Sequence, residues 1–431
     1  MPPNSEFDII DGPQCDPDDQ LRWWLVNFNG LEGWTAEGAG EEYYIAPPGE
    51  AGGGGGGGGD SASTAGASDE EKAIVDDVLK ELPEPSAAEL DRSRMGVQIY
   101  GTGDTETWQR ALDNADALDT EWIKLQLNWS DVQADGPDML GPSFETFRSL
   151  VQAADGRGLR VLVSIAKAPN WTRAETYDLA GPPDDPQALA DFITRVLTEL
   201  GPNIDAIEVW NEPNLNREWT GALSFDGAGY MELFVPAYAA IRAFSEDIII
   251  VTAGLAPTSD SDVSVDDRKF LRQMYEAGLA EFADIAIGIH PYGWGNPPDL
   301  RCCDAVDGEG WDDNTRFFFL SNIEDFRSIT QENEHDVQLW ATEFGWGTWT
   351  DLPGDPPEGW MVYNTPDEQS SYTVRAFQIG QAFDYMGPMF LWNLNFADSI
   401  ALEGRHETAA YSLIINDSLV RPLFNILADS A

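Results

Sequence analysis

The stretch IEVWNEPN, Ile207 to Asn214, runs through apolar and β-branched residues and then stops at a polar rim and a proline. It reads as a strand buried on both faces, the form that parallel strands take inside an α/β fold. Seven further runs repeat this reading: RMGVQIY, EWIKLQLNW, RVLVSIA, DIIIVTAG, DIAIGIH, VQLWATEF and GPMFLWNLNF. Longer amphipathic stretches lie between them, such as FETFRSLVQAADGRG, PQALADFITRVLTEL, DDRKFLRQMYEAG, SNIEDFRSITQE and EQSSYTVRAFQIGQAF. Several of these end at glycine, as helices commonly do. Strand–helix units in this number predict a (β/α)8 barrel with enlarged loops over residues 91–431. A doubly wound open sheet would show an early glycine-rich phosphate loop. GTGDT at 101–105 lacks its third glycine and its acidic partner.

Of the 431 residues 42% are hydrophobic and 16 are Trp, enough to fill a large core. No apolar run approaches the ~20 residues of a membrane helix, so no membrane span is expected. Against 76 Asp and Glu stand 24 Lys and Arg, five of them Lys, for a formal net charge of -52. That balance argues against nucleic acid and anionic membrane as partners, since both are polyanions. A Lys-poor acidic surface fits work in high salt, where counter-ions screen self-repulsion; an acidic secreted protein in ordinary medium carries the same signature. Cys15, Cys302 and Cys303 lack zinc-ligand spacing, and the adjacent pair reads as two thiols or a loop disulfide. No metal or cofactor is expected.

Residues 48–90 read as a flexible Gly/Ser/acidic linker with a short helix, because the run Gly52 to Gly59 has no side chains to pack. Residues 1–47 alternate apolar and polar positions and read as short antiparallel strands. Within them, WWLVNFNGLEGWTAE resembles the second half of a bacterial Src-homology-3-like domain. The resemblance implies attachment to a cell wall. It also carries the expectation that the sequence starts late, upstream residues and a signal peptide having been lost, and that the protein works outside the cell or at its surface.

In a (β/α)8 barrel the chemistry lies at the C-terminal ends of the strands. Those ends hold Asn128 and Trp129, Lys167 and Trp171, Asn211 and Glu212, His290 and Tyr292, Glu343, and Trp392 and Asn395. Two carboxylates therefore face each other from the fourth and seventh strands, among amides and aromatic rings. That set suits cleavage of a glycosidic bond: one acid protonates the leaving oxygen and the other carboxylate attacks or supports an oxocarbenium-like centre. Glu208 lies about 13 Å deeper along an extended strand. It reads as a structural wall residue needing a cation, and Lys124, in mid-strand, is the expected one.

VWNEPN with WATEFGW, IHPYG between them and LWNL after them, resembles a retaining glycoside hydrolase of clan A, families 39 and 5, from Arg94 to the C-terminus. The resemblance implies that Glu212 is the acid/base, Glu343 the nucleophile and Asn211 the ligand of the sugar 2-hydroxyl. It further implies that His290 and Tyr292 orient the nucleophile and that Trp392 is the platform under the reacting sugar. Lys167, Trp129, Trp171 and Asn395 complete the expected substrate-binding set, for a β-linked oligo- or polysaccharide. Two carboxylates this close repel, so the expectation places the proton on Glu212 and the charge on Glu343. A non-catalytic carbohydrate-binding barrel and a transglycosylase remain as alternatives. The loop after the sixth strand, WGNPPDLRCCDAVDGEGWDDNT, is long, so substrate identity does not carry over.

Other residues read as structural. His335 and His406 are expected at the surface. Trp294, Trp346 and Trp349 could each be a sugar platform or packing. The acidic run DSDVSVDD (Asp260 to Asp267) fails the EF-hand pattern at Val265 and Leu271, and reads as a solvated loop before a helix.

Overall fold

The computed structural model of the protein describes residues 66–101, 105–175, 177–303, 314–416 and 418–430, with the backbone of short strands between residues 8 and 43. The chain divides into two units, Met1–Ser63 and Thr64–Ala431. In the first, strands Asp8–Cys15, Arg22–Phe28 and Leu31–Ala36 pair antiparallel in that order. The side chains that carry the half-domain resemblance, the glycine run and residues 304–313 of the long loop lie outside the described residues.

In the second unit eight parallel strands close into a barrel in chain order. They are β1 (Met95–Gln98), β2 (Trp122–Asn128), β3 (Arg160–Ala166), β4 (Ala206–Val209), β5 (Ile249–Thr252), β6 (Ile285–Ile289), β7 (Gln338–Phe344) and β8 (Met386–Leu391). Phe390 pairs with Gly96, so β8 returns to β1 and no edge is left open. The helices that follow the strands are α1 (Thr105–Ala117), α2 (Pro142–Asp155), α3 (Gln187–Leu200), α4 (Gly227–Phe244), α5 (Asp267–Glu276), α6 (Phe319–Glu332), α7 (Pro366–Ala382) and α8 (Pro422–Ala428). Each β-rich run read from the sequence is one of the eight strands.

Helix starts follow local chemistry. Thr365 and Glu368 form a reciprocal capping box at α7, and Pro142 occupies the first turn of α2. The sequence reading passed over α1, α4 and α8. In α4 the run GAGYMELFVPAYAAIRAF has no polar stripe and an internal Pro236, so periodicity is weak; Asp226 caps it and burial holds it. Asp266 and Asp267, expected in a solvated loop, have fixed roles instead. Asp266 caps α5, and Asp267 is buried against Arg268.

A leading helix, Asp69–Glu81, sits ahead of residue 91 but belongs to the barrel unit. Val75 joins the main core, and Arg301 binds Asp76 at 2.5 Å and Glu324 at 2.6 Å. Cys302 and Cys303 are joined as a disulfide. His335 is buried, not at the surface: its Nδ1 lies 3.0 Å from the Tyr275 hydroxyl.

Inside the barrel, Trp122, Leu162, Ala206, Val251, Ala286, Trp340 and Phe390 form a separate apolar plug. Trp122 and Trp340 meet edge to face at 5.2 Å. Strand side chains alternate, so the residues two further along face inward again. From Trp122 and Ala206 that step reaches Lys124 and Glu208, the polar layer on which the site stands.

Candidate active site

Lys124 Nζ lies 2.9 Å from Glu208 Oε2 and 3.1 Å from Glu343 Oε1, with no part of the Lys124 or Glu208 side chain exposed. The expected wall pair is there, and it also reaches upward to the rim. Burial alone would strip Lys124 of its charge, but the two carboxylates outweigh it and hold the ammonium above its ordinary value. Burial likewise pushes the Glu208 carboxyl up, and Lys124 and His290 more than reverse it. Glu208 Oε1 also accepts from Gly254 N at 3.1 Å.

Above this layer opens a cavity of about 1040 Å³, lined by Asn211, Glu212, Tyr292, Glu343 and Trp392 among others. That is the upper end of the ~300–1,000 Å³ usual for small-molecule sites. The backbone at its rim is strained. Lys167 (φ 62°), Trp210 (φ 79°) and Glu212 (φ 43°) all sit in the left-handed region that side chains disfavour. Surrounding bonds pay for this. Glu212 N donates to Gly254 O at 3.1 Å, and the buried Asn214 side chain bridges Ala256 and Val265.

Glu343 Oε2 accepts from the Tyr292 hydroxyl at 3.0 Å, while its Oε1 faces Lys124. Burial and the Glu343 charge push the Tyr292 phenol well up, so it remains a donor. Glu212 has its own pair of donors. His290 Nδ1 lies 3.1 Å from Oε1, and Arg217 Nη2 lies 3.2 Å from Oε2. His290 is only 3.9 Å from Glu343, so its hydrogen bond goes to Glu212 rather than to the expected nucleophile. Burial raises the Glu212 carboxyl, but His290 and Arg217 outweigh that and bring it down to about 2. These two neighbours favour the carboxylate form of Glu212, against the proton that the sequence reading expected there.

Glu212, His290 and Glu343 each bring one atom within 4.8 Å of the other two, which is the geometry of a small metal site among the described residues. Here those atoms are already engaged by His290, Arg217, Lys124 and Tyr292. The arrangement is a carboxylate pair with its own donors.

Of the remaining expected residues, Asn211 lines the cavity with a buried Oδ1 that has no partner among the described residues, and Lys167 and Trp392 also line it. Trp129, Trp171 and Asn395 do not. Trp129 is buried, stacks on Phe192 at 4.8 Å and donates to Gln133. Trp171 donates to Gln133 O beside it, and Asn395 Oδ1 is spent on Tyr100 N. A rim position in sequence does not say which way a loop side chain turns. Trp346 and Trp349 are buried and donate to backbone carbonyls, whereas Trp294 lines the cavity.

Among the cavity residues that the sequence reading did not name are Arg217, Glu218 and Glu407. The first two follow Glu212 closely in one loop and were legible had the loop been read with the strand end. Glu407 lies beyond β8 and has no local signal. Burial pushes the Glu218 carboxyl up to about 7 against the opposing pull of Lys167, and its Oε2 has no partner among the described residues.

No family model and no curated protein matches the sequence. Among solved structures the chain is similar to a family 39 glycoside hydrolase from the gut symbiont Bacteroides cellulosilyticus WH2, at a TM-score of 0.57 and 18% identity over 95% of this chain and 70% of that one. It is also similar to the cellulose synthase subunit Z of Clostridioides difficile, at 0.51 and 11% identity over 78% of this chain and 99% of that one. At these identities the likeness is one of fold. Among the described residues no helix is long and apolar enough to cross a membrane.

Proposed function

We propose that the protein is a retaining β-glycoside hydrolase, with Glu343 as nucleophile and Glu212 as acid/base, acting on a β-linked oligo- or polysaccharide outside the cell. The observation that carries this reading is the 4.8 Å limit on the approach of one Glu212 oxygen to one Glu343 oxygen. Retaining enzymes hold their carboxyls ~5–5.5 Å apart, whereas inverting enzymes need ~6.5–9.5 Å to admit a water between them. The fold likeness to a family 39 hydrolase points the same way.

In the first step a Glu343 oxygen bonds to the anomeric carbon, the bond to the leaving oxygen breaks, and Glu212 gives that oxygen its proton. The product is a glycosyl ester on Glu343. In the second step Glu212, now a carboxylate, takes a proton from water as the water oxygen attacks the anomeric carbon and frees Glu343. Tyr292 and Lys124 hold the attacking carboxylate in place, and the Asn211 amide faces the sugar.

Azide rescue tests the two roles. With Glu343→Gly, azide on an aryl β-glycoside gives the α-azide through one displacement. With Glu212→Gly, the two-step route survives and gives the β-azide. Exchanged products would exchange the roles, and an inverted first product from the wild type would end the retaining assignment. Binding of polysaccharide without turnover, unchanged in Glu212→Gln and Glu343→Gln, would mark a carbohydrate-binding barrel instead.

A further inference from the structure

The donors around Glu212 conflict with its proposed task. A general acid must place a proton on an oxygen that faces the glycosidic bond. Here Oε2 accepts from Arg217 Nη2 at 3.2 Å and Oε1 lies 3.1 Å from His290 Nδ1, so each oxygen already has a partner. A proton carried towards a sugar competes with these partners, and a cation fixed on Oε2 opposes it most. His290 is wholly buried and fixed behind the site. The Arg217 side chain is 58% exposed and belongs to the loop between β4 and α4, so it is the donor free to move. A second carboxylate lies within its electrostatic reach, Glu407 in the loop after β8, which lines the same cavity.

We propose, resting on the reading of Glu212 as acid/base, that Arg217 is a latch: it holds Glu212 as a carboxylate until a leaving-group sugar enters, then swings to Glu407 and frees Oε2. As the guanidinium leaves, Glu212 takes up one proton from solvent. When the product departs the latch closes again. Arg217 is therefore a positioning residue acting through Glu212, not a group that touches the reacting atoms.

The other charges facing Glu212 are consistent with this division. From the segment just past β6 come His290 and the Tyr292 hydroxyl, from β7 Glu343, from its own loop Arg217 and Glu218, and from the loop after β8 Glu407. Lys124 pairs with Glu208 and Glu343 below, and Lys167 faces Glu218. Of the two groups bonded to Glu212, only Arg217 can withdraw. With it gone, Glu343, Glu218 and Glu407 all favour the protonated form.

Two measurements test the latch. The first uses no substrate: the protein is labelled with [5-13C]glutamate, and the Glu212 signal is identified by difference against Glu212→Gln. The wild-type signal titrates well below the ordinary carboxylate range, and Arg217→Gln raises its midpoint by at least one pH unit, with Arg217→Lys in between. An unmoved midpoint overturns the proposal. Arg217 is exposed, so the substitution leaves the fold intact.

The second compares leaving groups on aryl β-glucosides, β-xylosides and β-mannosides. On a phenyl glycoside, Arg217→Gln moves the basic limb of kcat/KM upward and increases the rate above that limb about tenfold or more. On a 2,4-dinitrophenyl glycoside, which departs without a proton, it changes little. Glu407→Gln removes the receiving group and lowers kcat on the phenyl glycoside about tenfold, and adding Arg217→Gln relieves the loss. A uniform fall on both substrates shows that Arg217 binds sugar and overturns the latch. A shifted titration with no leaving-group dependence shows instead that Glu212 is not the acid, and the latch fails with that assignment.

Discussion

Replacing Lys124 with Met probes the layer that supports the site. The ammonium is wholly buried, 2.9 Å from Glu208 and 3.1 Å from Glu343. At an effective dielectric near 20, each contact at ~3 Å is worth about 5 kcal/mol of attraction, against a desolvation cost of several kcal/mol per ion. The intact triad therefore adds little net stability. Its rupture is different, because Met leaves two buried carboxylates without their shared cation. The expected loss is about 3–5 kcal/mol, a large part of the ~5–15 kcal/mol that holds a domain together. Urea unfolding followed by tryptophan fluorescence at pH 7 measures it as a fall in midpoint at unchanged slope. The double variant Lys124→Met, Glu208→Met removes the uncompensated wall charge and should recover most of the stability, yet stay inactive because Glu343 has lost a donor. The sign with pH follows from Glu208, whose carboxyl lies below its unfolded value in the native protein. Its stabilisation is present above the unfolded value of about 4.5 and lost as pH falls through the lower folded one, so the wild-type advantage over Lys124→Met shrinks towards pH 4. A single variant within about 1 kcal/mol of wild type, or a double variant no better than the single, would refute this reasoning.

Three further outcomes follow from particular contacts. Tyr292→Phe removes the donor 3.0 Å from Glu343 and should lower kcat/KM about 10–100-fold, the size expected for a hydrogen bond to a charged group, as initial rates on an aryl glycoside will show. Glu218 is pushed up to about 7, so its folded form resists ionisation. That penalty is absent below pH ~4.5, grows as pH rises to 7 and is then constant, so Glu218→Gln should stabilise the protein by about 1–3 kcal/mol at pH 8 and not at pH 4.5, as thermal melts at the two pH values will show. A methyl at Gly254 would run into the His290 ring and Thr342. Gly254→Ala should cost about 1–3 kcal/mol by overpacking and move the basic limb of the activity profile upward as His290 loses Glu212, read from kcat/KM against pH.

The sequence by itself determined the barrel. Each strand is a short apolar run with its own boundaries, and α2, α3, α5, α6 and α7 carry a helical period with local start or stop signals, so the alternation is written residue by residue. It also marked Glu212 and Glu343, because strand ends are where such a barrel keeps its chemistry, and it paired Glu208 with Lys124, because a buried charge needs a partner. The α4 helix was harder to read, since its exposed face carries Ala228, Val235, Ala239 and Ala243 and so shows little polar contrast to its buried one.

The tertiary structure decided which rim side chains turn inward. Trp129, Trp171 and Asn395 share rim positions with Lys167 and Trp392, yet their side chains are spent on neighbouring groups and do not line the cavity. It also decided the surroundings of Glu212, where His290 just past β6 and Arg217 from its own loop reach opposite oxygens of one carboxylate. Local sequence carries periodicity and caps because these depend on neighbours along the chain. A proton's position depends on the sum of charges converging through space from several strands, and that sum exists only once the barrel has closed.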